Sequence, residues 1–272
     1  MDVQSEFRLN LQHGVRVKVN REMVEEFAKH LLGKKGSRKS TPFDWRDPEK
    51  YLEDIKGKEL VSQFFAVGNS INFRYWFTSR GKRYCEGGKG GKVLRGANYM
   101  WRCLKVCYDR GIYPILEAEG LAKIRASDAR TIFRNDKGNN VMPAVQERVR
   151  NWRDLGGKLK NYWSGDFFNL VREAGDSRSL RLFIHFSRQF RAFEDPLCKM
   201  AIVNAIMHTG RALVSFAEPT FPGMDYELLK QQMRNGILEL DEKLRTKVTR
   251  GGLLSSAESR ELRNAGLRAF LD

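Results

Sequence analysis

Cysteine and histidine are scarce, and neither is arranged for chemistry. Four cysteines (Cys85, Cys103, Cys107 and Cys198) form no C-x-x-C pair, and four histidines (His13, His30, His185 and His208) lie scattered, so zinc-ligand spacing is absent. No metal and no other cofactor is expected, and reduced thiols in a cytoplasmic setting are. The N-terminal stretch carries Asp2 and Glu6 without the apolar centre of a signal peptide, and no uncharged apolar run reaches membrane-spanning length. Export and membrane insertion are therefore not expected. A P-loop is excluded because Lys92 is followed by Val93. Also missing are G-x-G-x-x-G between a strand and a helix, the H-x-E with P-C-x-x-C of zinc deaminases, and the G-x-S-x-G elbow.

What is present is apolar mass and positive charge. The chain has 272 residues, 41% of them hydrophobic, enough for a large core and too many for disorder. The expectation is one domain over residues 1–272, built of two closely packed helical lobes and monomeric. Lys and Arg number 49 against 33 Asp and Glu, a net charge of +16 that calls for an acidic partner. Between Arg74 and Arg110 ten Lys/Arg face only Glu86 and Asp109, a local net of +8.

The apolar spacing is mostly helical. Val24, Phe27, Ala28 and Leu31 follow a candidate N-cap at Asn20. Residues 33–40 then carry Lys34, Lys35, Arg38 and Lys39 and no apolar side chain, a flexible basic loop. The apolar, aromatic stretch from Leu60 to Trp76 predicts a strand over Ile71–Tyr75, so a short β element is expected near residues 64–95. Six glycines over 81–96, with Lys82, Arg83, Lys89, Lys92 and Arg95, predict a second flexible basic loop able to approach a phosphate backbone. Beyond it, Met100, Cys103, Leu104 and Cys107 make another helical face. Helices are predicted over about 116–134, 143–155, 164–174 and 178–192, with a central one over 196–217. Asp225 stands at an N-cap position before Tyr226, Leu229 and Met233, a helix that runs up to Gly236.

Several segments, in order from about residue 60 to the C-terminus, resemble the motifs of one known family. Asn69-Ser70-Ile71-Asn72-Phe73-Arg74-Tyr75-Trp76 resembles its D-T-L-N-F-C-F-W, with asparagine in place of the aspartate. Trp101 to Ile112 resembles W-x-L-C-A-A-I-N-R-A-x-x-E-G-I. Ile132-Phe133-Arg134, Pro143, Glu147-Arg148 and Ser164-Gly165-Asp166-Phe167-Phe168-Asn169 follow in the family's order, and Phe190 to Asp195 is similar to F-P-S-F-R-D. Asp225-Tyr226 and Gly236-Ile237-Leu238 match A-D-Y-R-V-P-Q-V-L-R-x-x-G-V-L with the intervening length kept. Glu258 to Ala265 resembles E-x-E-I-R-A. The family's K-R-A-Q-I-L-V-A-D run is nearly erased: only Arg211-Ala212 or Glu218 stand in for it, and its aspartate is Phe216 or shifted to Glu218. The family these segments resemble is the queuosine salvage family, and the resemblance implies an all-α fold of the helix-hairpin-helix DNA-glycosylase type and an N-glycosidase activity that frees queuine from queuosine nucleotide.

That chemistry needs an ionised carboxylate beside C1′, because the departing base leaves an oxocarbenium-like sugar. Asp225 is the candidate catalytic anion. Phe73 and Trp76, with Tyr226, are candidates to stack the base, Asn69 and Asn72 to read its polar edge, and Asp195 and Glu218 to assist the leaving group or hold a ribose hydroxyl. Because +16 is more than a mononucleotide pocket requires, the favoured expectation is a monofunctional DNA glycosylase excising a modified base from double-stranded DNA, for instance in defence against phage carrying hypermodified bases. Lys34, Lys35, Arg38, Lys39, Lys82, Arg83, Lys89, Lys92 and Arg95 would grip the DNA. Queuosine 5′-phosphate hydrolysis and non-catalytic nucleic-acid binding are the alternatives.

Overall fold

Helices carry most of the chain, and their ends are set by local chemistry. The computed structural model describes residues 14–33, 45–77 and 83–271. It divides into two units, a smaller one of residues 1–41 with 221–272 and a larger one of residues 42–220. Among the described residues no helix is long and apolar enough to cross a membrane.

In the smaller unit, strand β1 (Val17–Val19) pairs antiparallel with β6 (Leu238–Leu240), Val17 opposite Leu240. Helix α1 (Arg21–Gly33) begins where expected, with Asn20 Oδ1 accepting the Met23 N–H at 3.2 Å. Helix α10 (Tyr226–Arg234) is followed by Gly236 at φ 70°. Helix α11 (Glu242–Thr249) is capped by Asp241. Helix α12 (Ser256–Leu271) opens with a reciprocal cap: the Ser255 hydroxyl accepts the Glu258 N–H, and the Glu258 carboxylate accepts the Ser255 N–H. The Lys247 ammonium, and then that Ser255 N–H, hold the Glu258 carboxyl down at about 2. Helix α12 crosses α10 at Gly266, where a Cβ would fall 2.6 Å from both Leu229 Cδ2 and Gln232 Oε1. Only glycine lets the two backbones come this close, and Gln232 Nε2 donates to the Gly266 carbonyl at 2.8 Å.

In the larger unit, helix α2 (Lys58–Asn69) is buried along its whole length from Val61 onward, so its apolar run is enclosed by the rest of the unit. Gly68 faces the Trp101 ring directly; any side chain there would overlap it. Polar ties hold α2 from several sides. Trp152 Nε1 donates to the Val67 carbonyl at 3.1 Å, and Gln63 Oε1 accepts the Phe167 N–H at 2.9 Å. The remaining helices are α3 (Gly96–Asp109), α4 (Ala118–Lys123), α5 (Ala126–Ile132), α6 (Val145–Tyr162), α7 (Phe167–Asp176), α8 (Leu180–Ser187) and α9 (Lys199–Gly210). α7 and α9 pack on α2, and α8 packs on α7 and α9. The helix predicted over 116–134 breaks into α4 and α5 at Ile124, whose carbonyl accepts from Arg153 Nε at 2.7 Å.

Two expectations about the β region are corrected. Ile71–Tyr75 is not a strand, because the buried Arg148 guanidinium gathers the carbonyls of Ile71, Phe73 (2.6 Å) and Arg74 (3.1 Å), leaving them no ladder partner. Strand β2 (Trp76–Phe77) follows instead and pairs with β3 (Arg83–Tyr84). The glycine-rich segment is not a loose loop over its second half: β4 (Glu86–Lys89) and β5 (Lys92–Arg95) form a hairpin. Its turn, Gly90 and Gly91 at φ 64° and 77°, is of the kind only glycine takes readily. The Asp136 carboxylate accepts both turn N–H groups, at 2.9 and 3.0 Å, and Gly91 foremost, then Gly90, hold its carboxyl below the ordinary range. The loop expected at 33–40 lies, beyond Gly33, outside the described residues.

Candidate active site

In the smaller unit, Asp225 is the N-cap of α10, as its spacing implied. Its Oδ1 accepts the N–H groups of Glu227 and Leu228, both at 3.0 Å. Two backbone donors at the helix N-terminus fix the orientation of the carboxylate. Tyr226 is 46% exposed, and the Lys230 ammonium sits 4.7 Å from its ring centroid while also meeting Glu227 at 3.1 Å. Lys230 is thereby positioned over the tyrosine face.

The other candidates lie in the larger unit. Asn69 is 1% exposed, with Nδ2 donating to Asn204 Oδ1 at 2.8 Å and its Oδ1 without a hydrogen-bond partner among the described residues, so it is held inside the fold. Asn72 Oδ1 accepts the Tyr75 hydroxyl at 2.8 Å. Phe73 is half-buried, with the Arg148 guanidinium over its ring at 4.6 Å. Trp76, 42% exposed, stands on β2. Asp195 accepts the N–H groups of Leu197 (3.2 Å) and Met200 (3.4 Å) at the entry of α9, and Glu218 accepts that of Leu180 (3.1 Å) at the start of α8. Both carboxylates thus act as local caps.

The cations assigned to DNA fare unequally. Lys34, Lys35, Arg38, Lys39 and Lys82 lie outside the described residues, as does the side chain of Arg83. Lys89 is only 8% exposed and donates to the carbonyls of Ile132 (3.3 Å) and Arg134 (2.5 Å) at the end of α5. Its ammonium satisfies helix-terminal carbonyls inside the fold and does not reach outward, which corrects its reading as a phosphate contact. Lys92 pairs with Glu49 at 2.5 Å, and Arg95 pairs with Glu86 across the hairpin. Lys92 and Arg95 are therefore met by carboxylates, one from outside the glycine-rich segment and one from within it. Exposed arginines elsewhere went unnoticed: Arg178, Arg181, Arg188 and Arg191 flank and line α8, in a stretch read only as a helix. The signal was available, since residues 177–193 contain no Asp or Glu.

Comparison with known proteins bears on the whole arrangement. A family model described as queuosine salvage protein matches residues 52–214, more than half of the chain. The chain is 27% identical over 190 residues to the queuosine 5′-phosphate N-glycosylase/hydrolase of Sphaerobacter thermophilus, covering 70% of this chain and 55% of that protein. The proteins of the same name from Bos taurus (29% over 137 residues; 50% and 39%) and Nematostella vectensis (22% over 237 residues; 82% and 67%) also match. The chain spans about half the length of the Sphaerobacter relative. Asp225 lies beyond the span of the family match, whereas α2, the Arg148 cluster and α8 lie within it. A buried helical core matched over that length, with the family's segments in their order, places this chain in the queuosine salvage protein family.

Proposed function

We propose that this chain is an N-glycosidase acting on a queuosine-type 5′-nucleotide, with Asp225 as the anion beside the sugar. The observation that carries the reading is the seating of Asp225 at the head of α10, in the Asp-Tyr position of the resembled motif, with two backbone N–H groups orienting its carboxylate. In the reaction the bond between C1′ and the base breaks and the base leaves with the bonding electrons and a proton. Water then adds its oxygen to C1′ and releases a proton. A fixed carboxylate stabilises the positive charge that builds on the sugar and takes a hydrogen bond from the incoming water. The activity for which the relatives are named supports this chemistry, and the mainly helical build agrees with a helix-hairpin-helix glycosylase-like fold.

Excision of a base from DNA has the +16 charge in its favour and ranks second. The relatives are named for a nucleotide substrate, and Lys89, Lys92 and Arg95 are engaged within the fold. A role in antiviral defence gains no support from the relatives. The test is incubation of the chain with queuosine 5′-phosphate and chromatographic detection of the released base. Asn caps a helix about as well as Asp, so Asp225→Asn keeps α10 intact while removing the charge. A rate lower by 10²-fold or more is expected for that variant, of the order seen when one transition-state electrostatic partner is removed. Release of base from modified DNA but not from the nucleotide, or an Asp225→Asn variant at full rate, would overturn the assignment.

A further inference from the structure

Strand β6 is paired along one edge only, to β1. The Asn20 N–H donates to the Ile237 carbonyl and the Asp241 N–H to that of Arg16, both at 2.9 Å. Bonded and non-bonded pairs alternate in an antiparallel ladder, so Lys18 and Glu239 form the bonded pair and the main-chain groups of Leu238 and Leu240 turn to the edge away from β1. There the Leu240 carbonyl accepts from Arg245 Nη2 at 3.3 Å, whereas the Leu238 N–H, the Leu238 carbonyl and the Leu240 N–H have no partner among the described residues. Leu238 is only 4% exposed, and main-chain groups at such enclosed positions are nearly always paired. This edge therefore has donors and an acceptor to offer a further strand. The β4–β5 hairpin differs, because the Gly88 carbonyl already takes the Asp136 N–H at 2.9 Å.

A groove of about 470 Å³ lies on the open side: α10, β6 and α11 line it, and no residue of β1 does. Met233, Leu238, Leu240 and Val248 make it mainly apolar. Lys230, Arg234 and Arg245 are its cations and Glu239 its one acid. Glu239 accepts from Asn20 Nδ2 at 2.9 Å and Lys230 meets Glu227, while Arg234 meets no carboxylate among the described residues. Of the acids beside the lining, Asp241 caps α11 and Glu242 stands exposed on its first turn.

We propose that β6 takes a third strand from a partner protein, an extended segment with apolar residues at alternate positions and acidic ones between them. Its main chain exchanges hydrogen bonds with Leu238 and accepts the Leu240 N–H. Alternate side chains point to opposite faces, so the apolar ones enter the groove and the acidic ones reach Arg234 and Arg245 at its rim. A second copy of this chain fits less well, because β6 paired with its own image sets two cationic rims against each other. The groove takes the C-terminal end of α10, about 13 Å along the helix from Asp225, so its use does not depend on the hydrolytic reading.

The test is fluorescence anisotropy of the whole chain with a labelled eight-residue peptide that alternates valine with glutamate. Saturable binding is expected, and a peptide alternating valine with lysine should bind roughly 10-fold more weakly or worse. Two N-methylated forms of the first peptide, one blocked at its valines and one at its glutamates, each lose main-chain bonding along one edge; the form blocked on the edge that meets β6 should lose roughly 10-fold in affinity. Leu240→Pro deletes an outward N–H without touching a bond to β1 and should also weaken binding roughly 10-fold. Arg234→Glu keeps the strand and should reverse the preference between the glutamate and lysine peptides, which holds the proposal testable if the proline variant fails to fold by circular dichroism. Base release by Arg234→Glu stays within about twofold of the parent, and peptide binding retained by Asp225→Asn separates this surface from the hydrolytic reading. No saturable binding, equal affinity for the peptide and both N-methylated forms, or an unchanged preference in Arg234→Glu would overturn the proposal. So would a dimer in sedimentation velocity that either β6-groove variant abolishes, since the occupant would then be a second copy.

Discussion

His208 should make the larger unit lose stability as the pH falls from 7 to 5. The ring is fully buried on α9, with Phe65, Phe167 and Phe183 at 5.6 to 5.8 Å. Its Nδ1 lies 2.7 Å from the Asn204 carbonyl, which can only accept, so Nδ1 carries the proton and Nε2 accepts the Ser62 hydroxyl at 2.9 Å. Burial pushes its pKa down from 6.5 to about 4. In the unfolded chain the imidazole takes up a proton near pH 6.5, whereas in the fold it stays neutral until about pH 4. Over that window the unfolded state binds more protons, so stability falls as pH falls. Integrated from pH 7 to pH 5, the loss is about 2 kcal/mol. The carboxylates held below their ordinary range, such as Glu258 and Asp136, titrate beneath this window, whereas burial raises Asp166, which works against the His208 slope. All five tryptophans lie within residues 42–220, so urea denaturation followed by tryptophan fluorescence reports the unit that holds His208. The paired substitution Ser62→Ala with His208→Phe removes both the titrating ring and its polar partner and should abolish the slope. Stability that stays level between pH 7 and 5 in the parent, or falls equally in the double variant, refutes the reasoning.

Gly266→Ala should destabilise the smaller unit by about 1–3 kcal/mol, since the new methyl meets Leu229 and Gln232 at 2.6 Å; thermal denaturation followed at 222 nm measures it. Lys89→Met should cost about 1–3 kcal/mol by stripping the Ile132 and Arg134 carbonyls of their donor, while oligonucleotide affinity changes less than twofold. A large affinity loss with unchanged stability would return Lys89 to the binding surface.

The chain announced by itself whatever depends on neighbours a few residues away. Asn20 and Asp225 as caps, Gly236 after α10 and the helical class rest on hydrogen bonds and periodicity within a turn or two. The family's segments, too, are readable in order along the chain. Partners brought from far along the chain decided the rest. Ile71–Tyr75 has strand-like alternation, yet Arg148, more than 70 residues away, takes its carbonyls. Lys89 reads as a surface cation until the end of α5 closes over it, and Asn69 reads as an open side chain until Asn204, on α9, takes its Nδ2 in the interior. Charge counted along the sequence cannot tell a paired cation from an unpaired one, so it pointed to the glycine-rich hairpin, where Lys92 and Arg95 meet carboxylates and Lys89 meets buried carbonyls. Local geometry is written in adjacent residues, whereas burial and pairing belong to whichever side chains the tertiary fold brings within reach.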